Sequence, residues 1–254
     1  MQINIRSRIP AAIELFQEAI VCVCVCIYSP LRLLAREISF TSAELDRSQL
    51  TGQPIDVQKT DALNILYQMN TDQMVYIGSN DVGATGMLND AGVTSSLVAA
   101  GAGGGTQWST KTADEILADV NTLLTASWQA AAYAVCPSKL LLPPAQFGYI
   151  SSQKVSSAGN VSILKFLQEN CISLNINGKA LNIQPVKWLP GLGASSSDRM
   201  VCYTNEEDRV RFPMVPIRRE TAYYQGIRFI APYIWAFGQI EFVYPETVQY
   251  ADGI

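Results

Sequence analysis

An α+β fold is the architecture this sequence predicts, on three observations. A helical pattern runs without interruption from Pro54 to Ile77. A second helix opens at Thr112-Ala-Asp-Glu115, where threonine and glutamate take capping-box spacing. From Leu174 onward, short alternating segments punctuated by Gly, Pro, Asn and Asp replace the helical period. Helices and strands of uneven length, with a strand-rich end, argue against a doubly wound sheet.

Composition sets the outer limits. With 48% hydrophobic and 16% charged residues, the 254-residue chain is globular and long enough for one large domain or two smaller ones. Its formal charge of −4, without a basic run, argues against a dedicated nucleic-acid binder. Histidine is absent, which removes Ser-His-Asp and Cys-His catalysis and every histidine-containing metal site. Lys, Tyr and carboxylate chemistry stay open. Cysteines at 22, 24, 26, 136, 171 and 202 lack disulfide-scaffold spacing, which points to a reducing compartment. Glu14, Gln17 and Glu18 interrupt the apolar run that a secretory signal needs after Arg6 and Arg8. The apolar stretch Ala19 to Tyr28 is about half of a membrane span.

Taken in order, Ile9, Ala12, Ile13, Phe16 and Ile20 share one face of a short amphipathic helix. Val21 to Tyr28 (VCVCVCIY) alternates as a strand, Pro30 punctuates, and LRLLAREISFTS reads as a second strand. Thr41 or Ser42 with Glu44 opens a short helix. Pro54 suits a first helical position, where its missing N–H costs nothing, and Asp56 and Asp61 complement the helix dipole. The long helix carries an apolar stripe of Ile55, Ala62, Leu66, Met69 and Ile77, widened by Leu63, Ile65 and Met74. From Pro54 to Ile77 it spans about 36 Å, and Gly78 ends it.

A Gly-, Ala- and Ser-rich loop with one short strand at Ser96 to Ala99 leads to Trp108. The helix from Thr112 buries Ile116, Val120, Leu123, Leu124 and Ser127-Trp128. Lys139 to Leu142 is a buried strand, and further helices start at Pro143-Pro144 and Asn160. Strands follow at Leu181 to Val186, Arg199 to Thr204, Arg209 to Phe212, Gly226 to Tyr233 and Ile234 to Phe242. No internal repeat is visible.

No segment carries a convincing chemical site. Gly101-Ala-Gly-Gly-Gly105 superficially resembles a phosphate loop, but Thr106 stands where the dinucleotide pattern needs glycine, and no Lys-Ser/Thr pair follows. A flexible surface loop accounts for it. Cys22, Cys24 and Cys26 would share a strand face about 6.7 Å apart, too widely spaced to close around one zinc ion. Glu206-Glu207-Asp208, beside Arg209 and Arg211, reads as a solvated turn, and no second carboxylate stands at glycosidase spacing. Asp114 and Glu115 are explained by capping. Trp108, Trp128, Trp188 and Trp235 are too scattered for a stacking platform. The expectation is no catalytic, cofactor-binding or metal-binding residues and no required cofactor.

Several longer segments, taken together, resemble the major capsid protein of tailed bacteriophages, the Hong Kong 97-like fold. They are PLRLLAREISFTSAEL before the long helix and YIGSNDVGATGMLND at its end, with Gly86-Met87-Leu88-Asn89 as the glycine-containing element. TADEILADVNTLLTASWQAAAYAVCPSKLLLPPAQFGYIS, SILKFLQEN, LNIQPVKWLPG, DRMVCYTNEEDRVRFPMVP and EFVYPETVQYADGI continue it, so that it covers Ser29 to Ile254. The resemblance implies a structural, non-enzymatic protein that self-assembles into an icosahedral shell around a phage genome. It implies an axial domain at residues 133–228 and a peripheral domain combining 29–132 with 229–254. Residues 1–28 form a divergent N-terminal segment. Implied partners are copies of itself in hexamers and pentamers, portal and other virion proteins, and packaged DNA held nonspecifically, with no membrane. The implied location is the virion, assembled in the bacterial host cytoplasm. Two alternatives are a bacterial nanocompartment (encapsulin-like) shell and, from another class, a histidine-free carboxylate-based hydrolase.

The beginning of the chain departs from that family. Only 29 residues precede Pro30, too few for both an extended arm and a two-stranded loop. The first lysine is Lys59, inside the long helix, so no loop lysine is present for the interchain Lys–Asn bonds of some members. A shortened or divergent form without those cross-links is the expectation.

Overall fold

The structure, a computed structural model, describes residues 31–52, 54–155 and 160–254. The helix and Val-Cys strand expected before Pro30 lie outside the described residues.

Two sheets organise the chain. The first pairs β1 (Arg32–Thr41) with β11 (Arg228–Phe237) antiparallel along ten residues, from Arg32↔Phe237 to Thr41↔Arg228. β9 (Met214–Arg219) and β10 (Tyr223–Gln225) both pair with the far edge of β11. Thr41 caps α1 (Ser42–Thr51) in the expected box with Glu44, and Gly52 closes it in the left-handed conformation. The long helix α2 (Ile55–Tyr76) then lies across the sheet.

The buried face of α2 takes only part of the stripe that periodicity predicted. Leu63 is buried and Ile55, Tyr67 and Met74 pack against the sheet, whereas Ile65, Leu66 and Met69 face solvent. Apolar residues occur around the whole helix, so spacing alone does not choose a face. Aromatic packing chooses it, because the Tyr67 ring meets Trp235 edge-on and stacks on Phe237, each at 5.8 Å between centroids.

After α2 come β2 (Gly78–Ser79), β3 (Ala84–Thr85) and β4 (Thr94–Leu97), the last two residues earlier than expected. α3 (Ala113–Ala130) begins at the expected Thr112–Glu115 box and buries Ile116, Val120, Leu123, Leu124 and Ser127. β5 (Lys139–Leu142), α4 (Pro144–Ser152), α5 (Ile163–Asn170), α6 (Ile172–Asn177), β6 (Asn182–Pro185), β7 (Arg199–Tyr203), β8 (Val210–Arg211), β12 (Glu241–Phe242) and β13 (Val248–Asp252) complete the order. The second sheet runs β4-β13-β7-β5-β6. Helices α3 to α5 cover one face, giving a core around Ile116, Leu124, Leu140, Ile150 and Leu167. The other face packs Leu141, Val201 and Tyr250 against Met87 and Leu88 from the segment after α2.

The structure corrects two expectations. β11 runs unbroken through the predicted boundary at Tyr233/Ile234, because β1 pairs with it along its full length. The C-terminal segment, read as no strand, is β13, an interior strand of the second sheet, between β4 and β7, and buried throughout. That sheet joins β4 and β13 to β5, β6 and β7. Helix α6 and strands β9 and β10 were likewise not legible in the sequence.

Candidate assembly interface

The segments that carry chemical motifs serve as structural joints. In the Gly101–Gly105 loop, Gly101 N–H donates to Gly105 O and Gly104 N–H to Gly101 O. Glu115 accepts from the Ala102 N–H at 2.7 Å and from the Thr112 N–H at 2.7 Å. Those backbone bonds hold its carboxyl below the ordinary range. A carboxylate already occupies the helix start where a phosphate would sit, and the loop is pinned there. Glu206–Asp208 forms the solvated turn expected, with Arg209 paired to Glu206 at 3.0 Å. Cys136, Cys171 and Cys202 are buried free thiols, and burial pushes Cys202 up to about 12. Cys22, Cys24 and Cys26 lie outside the described residues. Among the described residues no group of three or more Cys, Asp or Glu is placed to hold a metal. No described helix is long and apolar enough to cross a membrane.

The tryptophans are separated, each with its own role. Trp108 is buried and donates to Asp119 at 3.1 Å, while Lys111 Nζ contacts the same oxygen at 2.6 Å and Ala99 O at 2.7 Å. This buried cluster staples the loop before α3 onto the helix. Burial pushes the Asp119 carboxyl above its ordinary value, against the pull of Lys111. Trp188 donates to Asp72 of α2, and Trp235 fills the core under α2. Trp128 donates to the Tyr133 carbonyl.

Sequence reasoning missed the joint between the second sheet and the segment after α2. Arg199 of β7 and Asp252 of β13 stand opposite one another and form a two-pronged pair, at 2.6 Å and 3.0 Å. Arg199 also donates to Leu88 O at 2.8 Å and lies 4.6 Å from the Tyr250 ring centroid. The Tyr250 hydroxyl donates to Met87 O at 2.7 Å, and Asp252 accepts the Ala194 N–H. Asn89 donates to Ile77 O and accepts from Gly86 N–H. A side chain at Gly86 would run into the Tyr76 and Ile77 backbone, so this position in the glycine-containing element requires glycine. The two halves of the pair are 53 residues apart and no local pattern marks them.

Among the described residues, several apolar side chains are left uncovered by the single chain, and three groups of them stand out. On α2, Ile65 and Met69 are 58% and 59% exposed. At one end of the first sheet, Leu31, Leu33 and Leu34 at the start of β1 and, across β11, Met214 and Val215 of β9 are all exposed. At the opposite end, the β10–β11 turn exposes Tyr224 and Ile227 at 78% and 74%. Scattered apolar residues need no explanation, but groups at element faces and turn tips mark contact surfaces.

The sequence profile of the major capsid protein family matches residues 27–254. No curated protein sequence matches the chain. Among solved structures, the capsid of Myoviridae phage XM1 superposes with a TM-score of 0.73 at 14% identity, covering 89% of this chain and 74% of that one. A virus-like particle from Pyrococcus furiosus matches at 0.56 and 16% identity, over 89% and 78% of the two chains. The capsid of an empty GTA particle matches at 0.54 and 11% identity, over 89% and 74%. At such identities these likenesses establish the fold. The profile match spans nearly the whole described chain, and the chain belongs to the major capsid protein family: it has the Hong Kong 97-like fold and is a structural protein of a virion's capsid shell.

Proposed function

We propose that copies of this chain form five- and six-membered rings that close into an icosahedral shell around a phage genome, with no catalytic step of their own. The observation that carries this reading is family membership over residues 27–254 in a chain whose long helix α2 leaves Ile65 and Met69 in solvent. Covering such side chains with a neighbour contributes about 25 cal/mol for each Å² of apolar surface buried. The body built on the second sheet, including β4 and β13, is the axial part that meets its copies around ring axes. The body of α2 and the first sheet is the peripheral part. The acidic balance of −4 suits a shell that lets packaged DNA lie loosely, because Lys and Arg neutralisation of phosphate is the main source of nonspecific affinity. Portal and other virion proteins are the further partners, and assembly takes place in the bacterial host cytoplasm.

Light scattering and negative-stain electron microscopy of purified protein, across salt and protein concentration, test the reading. Closed particles or rings are expected. Protein that stays monomeric at high concentration refutes it. Nucleic acid inside native particles favours the virion, and a packaged enzyme favours a nanocompartment.

A further inference from the structure

Two attachments hold α2 to the body built on the second sheet, and they differ in kind. At the helix end, Met87 N–H donates to Val75 O at 2.8 Å and Leu88 N–H to Tyr76 O at 3.0 Å. Met87 and Leu88 are buried, so this clamp is a backbone ladder inside the core. One turn earlier, a single carboxylate oxygen of Asp72 takes both the Trp188 indole N–H and Lys187 Nζ, each at 2.8 Å. The Lys187 ammonium also lies 4.8 Å from the Trp188 ring centroid. This second attachment is made of side chains in partial contact with water, and Lys187 is 61% exposed. An open groove of about 420 Å³ runs beside it, lined by Gln68, Met69, Tyr76, Pro185 and Val186.

We infer that Asp72, Lys187 and Trp188 form a charge-dependent brace that fixes the angle of α2 against the second-sheet body and opens into the groove, with the backbone clamp as its pivot. Asp72 lies four residues before Tyr76, about 6 Å along the axis, while Ile55 lies about 32 Å from the same pivot. A small change of angle at the brace is therefore amplified several-fold at the far end of the helix.

The groups around Asp72 make it the switch. Lys187 comes from the loop after β6, Tyr76 from α2 itself, and Tyr203 of β7 stands behind Tyr76. Burial raises Tyr76 above 10.0, helped by Asp72, and pushes Tyr203 up to about 12, so both stay neutral while Asp72 titrates. For Asp72, burial pushes the carboxyl up, but the Lys187 and Trp188 bonds outweigh it and the net value is below 3.8. A depressed folded-state value means the brace is fully present above pH 3.8 and is lost as pH falls through the lowered value.

Tryptophan quenching reads the brace directly. Trp108 and Trp235 are each 1% exposed, so Trp128→Phe leaves Trp188 as the accessible indole. In that background at neutral pH, Asp72→Ala is expected to raise the acrylamide quenching slope toward that of a free indole, while Asp56→Ala leaves it unchanged. Equal slopes with and without Asp72 overturn the brace. Lys187→Ala, at an exposed site that tolerates truncation, addresses the charge: the acid-induced rise in slope is expected to move to higher pH. A transition that stays in place, or a slope that never rises on acidification, overturns the switch. The measurement reads dispersed protein and shells alike, so a failure to assemble leaves this result distinguishable from the shell reading.

Discussion

Removing Arg199 tests the joint that ties β7 and β13 of the second sheet to the segment after α2. Its side chain is 12% exposed and that of Asp252 is 3%, so the pair is taken from water almost completely. Arg199→Ala deletes both prongs on Asp252, the bond to Leu88 O and the stacking on Tyr250. It leaves a buried carboxylate with the Ala194 N–H as its remaining partner among those described. Truncating one member of such a pair costs about 3–5 kcal/mol, mostly from the uncompensated charge. For a protein of this size, 1 kcal/mol moves Tm by about 2–4 °C, so a fall of about 6–20 °C is expected. Thermal melts of dispersed protein, followed by circular dichroism at neutral pH, provide the assay. The double variant Arg199→Met with Asp252→Leu is expected to recover much of the loss, because it removes the orphaned charge. An Arg199→Ala melt within about 2 °C of the parent would falsify this reasoning, since it would mean the pair contributes almost nothing net.

Further outcomes follow from the exposed helix face, the helix backbone and the buried thiols. Ile65→Ser with Met69→Ser is expected to keep the melting temperature near that of the parent, both side chains being mostly exposed, while particle yield by electron microscopy falls; unchanged yield removes this face from the interface. Leu66→Pro, mid-way along α2, is expected to cost about 3 kcal/mol or more through a lost hydrogen bond and a clash with the preceding turn, and normally assembling Leu66→Pro protein would contradict a continuous helix. With Cys22, Cys24 and Cys26 replaced by serine, native protein is expected to show no thiol reactive to a chromogenic disulfide reagent. Unfolded protein should show three, for Cys136, Cys171 and Cys202. Rapid native labelling of Cys202, whose thiol burial raises to about 12, would contradict the packing of β7 against α3.

Much of the fold is legible in local chemistry alone. Thr41 with Glu44 and Thr112 with Glu115 cap their helices as the spacing predicts, since a capping box closes within four residues. The buried face of α3 and the strand Lys139–Leu142 are also readable, because each segment carries its own period. α2 shows where such reading stops. Its existence and limits are plain, but its apolar residues surround the axis, and the predicted stripe splits: Ile55, Leu63 and Met74 pack against the sheet while Ile65, Leu66 and Met69 stay open to solvent. Sequence spacing reports how many side chains are apolar on each face, not which face a neighbour will cover.

The sequence by itself determined the α+β class, the capped helices, the lack of histidine chemistry and, through long matching segments, the capsid family. Those properties depend on residues close together in the chain or on composition. Only the tertiary structure decided which side of α2 meets the sheet, that Val248–Asp252 runs between β4 and β7 inside the second sheet, and that Arg199, Asp252, Tyr250 and Leu88 share one joint. The brace from Asp72 to Trp188 spans 116 residues. Contacts at that separation are selected by the burial and pairing of whole elements, and a linear pattern records no trace of which elements will meet.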